Sequence, residues 1–169
     1  MSSTLKLWMC RLLFPACLSC GWAEVRVGDV FPSLSDAGLA GELPVTAGKV
    51  VLVDFWASWC APCKASFPAF ARLHQALSPG GLVVVAVSVD EKPAAYAGFV
   101  KKLSPPFATL HDREQKLVRA VMVPVMPISY LLDRNGRVRF MHQGYHGTDT
   151  DVELRREIDL LLAETQTTR

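Results

Sequence analysis

Hydrophobic positions change their period in a regular order along this chain, and that order predicts its elements. Residues 50–55, Val-Val-Leu-Val-Asp-Phe, form an almost unbroken apolar run rich in β-branched side chains, the pattern of a strand covered on both faces. Over residues 62–77 the spacing becomes helical, with Phe67, Phe70, Leu73, His74 and Leu77 on one side, and Ser78-Pro79-Gly80-Gly81 closes the helix. Residues 82–89 read as a second buried strand, 93–103 as a helix, 107–110 as a short strand and 113–121 as another helix. Residues 128–133 and 137–142 flank Arg134-Asn135-Gly136, and Asn-Gly between two apolar runs predicts a hairpin. A last amphipathic helix spans about 149–164, and residues 25–43 form a turn-rich lead. The order βαβαβαββα predicts an α/β sandwich around a mixed, mostly parallel sheet that ends in an antiparallel hairpin.

The first residues follow a different logic. Lys6 and Arg11 lead into a nine-residue apolar core, 12–20, and Gly21-Trp22-Ala23 ends it with small residues, the layout of a secretory signal peptide. Such a core is too short to span a bilayer, which takes about 20 residues. Residues 1–23 are therefore read as a signal and 24–169 as one domain, in line with a chain of 169 residues that can bury one good core. Cys17 and Cys20 each follow a small residue, so a lipoprotein signal is one alternative, and an uncleaved anchor is another. Cleavage after Ala23 removes Cys10, Cys17 and Cys20 and leaves Cys60 and Cys63. It also removes Lys6 and Arg11 from the 18 basic residues, which brings them level with the 16 acidic ones. That balance argues against a nucleic-acid partner.

The candidate chemistry sits in Phe-Trp-Ala-Ser-Trp-Cys-Ala-Pro-Cys-Lys-Ala-Ser-Phe-Pro, residues 55–68. Two cysteines three positions apart close almost no loop, so a disulfide between them stabilises little, and a redox role is favoured over a staple. Cys60 falls where a strand gives way to a helix, facing unpaired amides and the positive end of the helix dipole, which stabilise a thiolate. Redox CxxC motifs lower the first cysteine to a pKa of roughly 3.5 to 7.5. Pro62 suits the first helical turn, and Cys63 lies one turn inward, shielded and able to attack a mixed disulfide from within. The opposing interpretation is half of a zinc site, but no second cysteine pair exists, and of His74, His111, His142 and His146 only the last two have ligand spacing. The histidines are otherwise expected at the surface or the core edge. Asp54, a carboxylate inside a buried strand, is costly unless used, so a proton-transfer role is expected of it.

Val-Gly-Asp-Val-Phe-Pro at 27–32, the run from Gly48 to Lys64 through Trp-Cys-Ala-Pro-Cys, Pro68, and Met126-Pro127 before a strand together resemble the thioredoxin superfamily. Within it the chain is similar to the secreted TlpA/ResA-like thiol:disulfide oxidoreductases. The resemblance implies a thioredoxin-like three-layer sandwich with an extra helix and strand, residues 93–112, inserted before the cis-proline strand. It also implies Cys60 as the attacking thiol, Cys63 as the resolving thiol, Asp54 beneath the pair, and Pro127 as the cis-proline. Trp59, Pro62 and Met126 then form the docking surface for the client. No cofactor is required beyond the dithiol. The implied partners are disulfide-containing client proteins and a membrane electron donor of the DsbD or CcdA kind, in a periplasmic or otherwise extracytoplasmic compartment. Cytochrome c assembly is among the services of such proteins.

Strand length separates the two prolines of Val123-Pro124-Val125-Met126-Pro127: Pro127 leaves five residues before Asp133, whereas Pro124 would put a second proline inside the strand. With the cis isomer taken from the resemblance, a cis Met126-Pro127 bond and a trans Val123-Pro124 bond are expected. Two departures from the family stand out. Ser66 occupies a position that is often acidic in TlpA/ResA-like chains, and Ala86 stands where thioredoxin places a lysine beside the buried aspartate. Without that cation, desolvation should raise the pKa of Asp54. Ala57 is a threonine in peroxiredoxins, and copper-delivery proteins of the Sco type space their cysteines one residue wider. Reduction of client disulfides is the primary expectation; a DsbA-like oxidant and a copper- or zinc-binding module are the alternatives.

Overall fold

The computed structural model describes residues 24–164, so the expected signal segment 1–23 lies outside the described residues. Nine strands and α-helices follow the predicted order there: β1 (Val50–Trp56), α1 (Ala61–Leu77), β2 (Leu82–Ser88), α2 (Pro93–Leu103), β3 (Ala108–His111), α3 (Lys116–Val121), β4 (Ile128–Leu132), β5 (Val138–Gln143) and α4 (Thr148–Ala163). The strands form one sheet in the order β3-β2-β1-β4-β5. β1, β2 and β3 run parallel, and β4 and β5 are antiparallel additions on the other side of β1. The predicted extra helix and strand are α2 and β3, and β3 forms the sheet edge beyond β2.

β1 lies at the centre, and all seven of its residues are buried. Alternation along a strand sends successive side chains to opposite faces. Val50, Leu52 and Trp56 pack in one core with Phe67, Phe70 and Leu73 of α1 and Leu154, Ile158 and Leu161 of α4. Val51, Val53 and Phe55 join the opposite core with Leu117 and Val121 of α3. The turn-rich lead helps to close that second layer, because Val25, Phe31 and Leu34 are buried there. It is stitched to the sheet by isolated bridges from Val30 to Arg137 and from Ala40 to His111. Gly41, at φ +125°, lies so close to β3 that a Cβ would meet the Leu110 side chain at 2.9 Å and the Thr109 carbonyl at 3.0 Å.

The predicted hairpin forms between β4 and β5. The Asp133 carboxylate accepts from the amides of Asn135 and Arg137, and Gly136 takes φ +74°. The third helix is shorter than expected, starting at Lys116 and not at 113, because the Asp112 carboxylate accepts from the amides of Lys116 and Val118 and holds the preceding residues in a turn. His111 departs from the surface or core-edge expectation: it is 1% exposed, and its Nε2 lies 2.7 Å from the Asp90 carbonyl oxygen. None of the described helices is long and apolar enough to cross a membrane.

Candidate active site: a dithiol pair over a buried carboxyl

Trp56 ends β1, a turn follows, and Cys60 caps the N-terminus of α1. The backbone turns there because Asp90, at the end of the neighbouring parallel strand, takes hold of the loop. Its carboxylate accepts from the Ser58 amide at 3.1 Å and the Ser58 hydroxyl at 2.8 Å, and from the Ser88 hydroxyl at 2.9 Å. Charge-assisted bonds of this kind are roughly twice as strong as neutral ones, so Asp90 fixes the approach to the cysteines. The tyrosine ring of Tyr96 in α2 stacks on His111 at 4.8 Å and closes this support. Sequence reasoning passes over Asp90 and places His111 at the surface or the core edge. The available signal is an acid directly after a buried strand, at the end where ligands and functional groups of parallel sheets gather.

Cys60 and Cys63 are joined as a disulfide with their Cα atoms 5.3 Å apart. The Cys63 amide donates to the Cys60 sulfur at 3.2 Å, so one of the free N–H groups of the helix end is aimed at the first sulfur. Cys60 keeps 6% of its surface exposed and Cys63 none, which makes Cys60 the cysteine a partner can reach. Pro62 and Trp59 are exposed beside the pair, Trp59 to 68%. Met126 packs against the cluster that contains both cysteines, and Pro127 behind it is buried. Met126-Pro127 is the only cis peptide bond among the described residues, and Val123-Pro124 is trans. A cleft of about 440 Å³ opens next to Trp59, lined also by Ser58, Glu91, Lys92 and Gln115.

Asp54 shares the strand face of Leu52 and Trp56, which is the face covered by α1 and Cys63. It is fully buried, its parallel-strand neighbour is Ala86, and its antiparallel neighbour is Ser129. The Ser129 hydroxyl donates to Oδ1 at 2.7 Å, while Oδ2 has no hydrogen-bond partner among the described residues. Burial pushes the Asp54 carboxyl from 3.8 up to about 8, and the Ser129 hydrogen bond only partly opposes it. Ser66, at the position that is often acidic, is buried and donates to the Cys63 carbonyl at 2.9 Å, so its side chain serves the helix backbone. The pair of histidines with ligand spacing is not held together: His142 bonds Glu157 at 2.6 Å, and among the described residues no group of three or more His, Cys, Asp or Glu side chains converges as a metal site would.

A mixed five-stranded sheet with a CxxC disulfide at a helix N-terminus and a cis-proline before the adjoining strand defines a thioredoxin-fold dithiol protein. The profile of the Redoxin family matches residues 26–157. Thiol-disulfide oxidoreductase ResA of Bacillus cereus is 30% identical over 118 residues, which cover 68% of each chain. ResA of Geobacillus kaustophilus is 29% identical over 138 residues, 80% of this chain and 78% of that one. Among solved structures, one described as the thiol:disulfide interchange protein DsbE of Chlorobium tepidum superposes with a TM-score of 0.76 at 33% identity, covering 83% of this chain and 100% of that one. The chain belongs to the Redoxin family and, within the thioredoxin superfamily, is a ResA-like thiol:disulfide oxidoreductase.

Proposed function

We propose that this protein reduces disulfides in client proteins outside the cytoplasm. The observation that carries the direction is the setting of the dithiol: an uncompensated acid on the same face of the sheet, with Ala86 and not a cation beside it among the described residues. Stabilising the thiolate stabilises the reduced form and makes an oxidant, as in DsbA. A carboxyl that ionises near the pair works against the thiolate, favours the disulfide in this protein, and so makes the dithiol a better donor.

The Cys60 thiolate attacks a client disulfide and forms a mixed disulfide, releasing one client sulfur as thiolate. Asp54, once it has lost its own proton, takes the Cys63 proton through a water. The Cys63 thiolate then attacks the Cys60 sulfur, the client's second sulfur leaves, and the Cys60–Cys63 disulfide remains. Two electrons have passed to the client. Trp59, Pro62 and Met126 carry the client segment against the disulfide, with main-chain pairing at Met126 as an added strand. Re-reduction comes from a membrane thiol carrier of the DsbD or CcdA kind, and cytochrome c assembly is the client system to examine first. Residues 1–23 direct export and are removed after Ala23.

One preparation tests this. Protein recovered from the extracytoplasmic fraction of an expressing bacterium should have the mass of a chain starting at Glu24, and its reduced form should reduce insulin disulfides stoichiometrically. A mass with a lipid on Cys17 or Cys20, or with residues 1–23 intact, replaces release with anchoring. Failure of the reduced protein to reduce insulin, with the oxidised form oxidising dithiol peptides instead, reverses the direction.

A further inference from the structure

Asp54 is sealed from solvent and holds its proton near neutral pH, yet it must be ionised to accept from Cys63, so a proton has to leave it in every turnover. The sheet supplies a line of polar side chains leading away from it. Asp54 of β1 stands opposite Ser129 of β4, and Ser129 stands opposite His142 of β5. Directly opposed residues share a face, with Cβ atoms about 4.5 to 5.5 Å apart. Phe140 and Leu131, in step with His142 and Ser129, pack in the α1/α4 core, so the row lies on the side that carries the cysteines. His142 Nε2 is 2.6 Å from Glu157 Oε2 of α4, and His142 Nδ1 is 3.7 Å from Glu153 Oε2. Arg156 is the cation beside them, 3.6 Å from Glu157 Oε1. Asp54 is fully enclosed and Ser129 4% exposed; the side chains of His142 and Glu157 are 12% and 9% exposed, and that of Glu153 opens to 60%.

We propose that Ser129, His142 and Glu157 form the proton exit of Asp54, a role that rests on the disulfide exchange proposed above. The Ser129 hydroxyl already bonds Oδ1, and its oxygen has capacity to receive a further proton. For the carboxyl to lose its proton the Ser129 hydroxyl turns, accepts from Oδ1, and gives its own hydrogen towards the His142–Glu157 pair as the carboxyl proton is taken up. The remaining gap is about one strand spacing, which a single water would bridge. Glu153 at the rim returns the proton to solvent. One proton enters the row and one leaves it, and no electrons move. A half-buried histidine held to a buried glutamate has no packing rationale stronger than an apolar pair would give. As a relay it links a closed carboxyl to a wet surface. The three residues act through Asp54 and do not touch the client.

The test is single-turnover resolution of a preformed mixed disulfide at pH 7 in H₂O and D₂O, with Glu157→Gln, His142→Gln, Ser129→Ala and Ser129→Thr. Glu157→Gln and His142→Gln should slow resolution roughly tenfold, below the range of about 10²- to 10⁴-fold that a directly acting acid–base group supplies. Their solvent isotope effect should rise above that of the wild type, because proton loss becomes limiting. Alkylation of Cys60 in the reduced protein should keep its wild-type rate. Ser129→Thr should retain the rate that Ser129→Ala loses. Wild-type isotope effects in Glu157→Gln and His142→Gln, or equal losses in Cys60 alkylation and resolution, overturn the relay. A wild-type protein that does not resolve mixed disulfides at all overturns the exchange mechanism itself, which keeps the two failures distinct.

Discussion

Cys63→Ser is expected to hold its clients as covalent adducts through Cys60, while Cys60→Ser forms none. Cys60 is the sulfur that reaches the surface, caps α1 and receives the Cys63 amide; Cys63 is closed to solvent and can act only on a sulfur already bonded to Cys60. Oriented intramolecular reactions reach effective molarities of about 10⁵ to 10⁸ M. Removing the inner thiol should therefore lengthen the life of a mixed disulfide by at least ~10³-fold relative to wild type. Non-reducing gels after reaction with a disulfide-bonded client, followed by mass spectrometry of the linked peptide, read this directly. Equal trapping by both variants would show that the two sulfurs are interchangeable, against the asymmetry of their burial.

Asp54→Asn should uncouple stability from pH while slowing resolution. In the folded, oxidised protein the Asp54 carboxyl keeps its proton up to about pH 8, whereas the unfolded chain releases it near 3.8. Between those values the folded state binds more protons, so stability falls as pH rises, by about 1.4 kcal/mol per unit at most. Below the lower value both states are protonated and the penalty is absent; above the upper value both are ionised and the loss levels off. Asparagine keeps the acceptor for the Ser129 hydroxyl and carries no charge. The advantage of Asp54→Asn over wild type should therefore grow between pH 4 and pH 8 by roughly 2 to 4 kcal/mol, below the full shift because water enters buried sites. Resolution of mixed disulfides should slow by roughly 10²-fold near pH 7, the lower end of what a proton-transfer group contributes. Denaturant unfolding of the oxidised forms across that range provides the check. Parallel stability curves for the two proteins would mean that Asp54 is not buried without a counter-ion.

The parts of this site that follow chain-local rules are legible in the order of the amino acids. The run through β1 announces a strand covered on both faces, the Asn135-Gly136 pair announces the hairpin, and strand length alone separates Pro127 from Pro124. The absence of a lysine at Ala86 announces the raised pKa of Asp54, since register between adjacent parallel strands can be counted from the motif. What stays hidden depends on register between distant segments. Ser129 is 75 residues from Asp54, and nothing local marks one serine in Ile-Ser-Tyr-Leu-Leu as the partner of a carboxyl. His142 and Glu157 meet only because α4 folds back over β5. The lead residues Val25, Phe31 and Leu34 lack any period, and their burial comes from covering a sheet face that the short α3 leaves open.

The most direct measurement is the reduction potential of the Cys60–Cys63 pair, obtained by equilibrating the protein with glutathione or dithiothreitol buffers and counting free thiols by alkylation and mass. A reductant built around an uncompensated buried acid should fall near the value of thioredoxin, about −270 mV, and below the value of about −180 mV typical of protein disulfide isomerase. A potential near that of DsbA, about −120 mV, would mean that the reduced form is strongly stabilised here and would contradict the assignment of this protein as a donor of electrons to client disulfides.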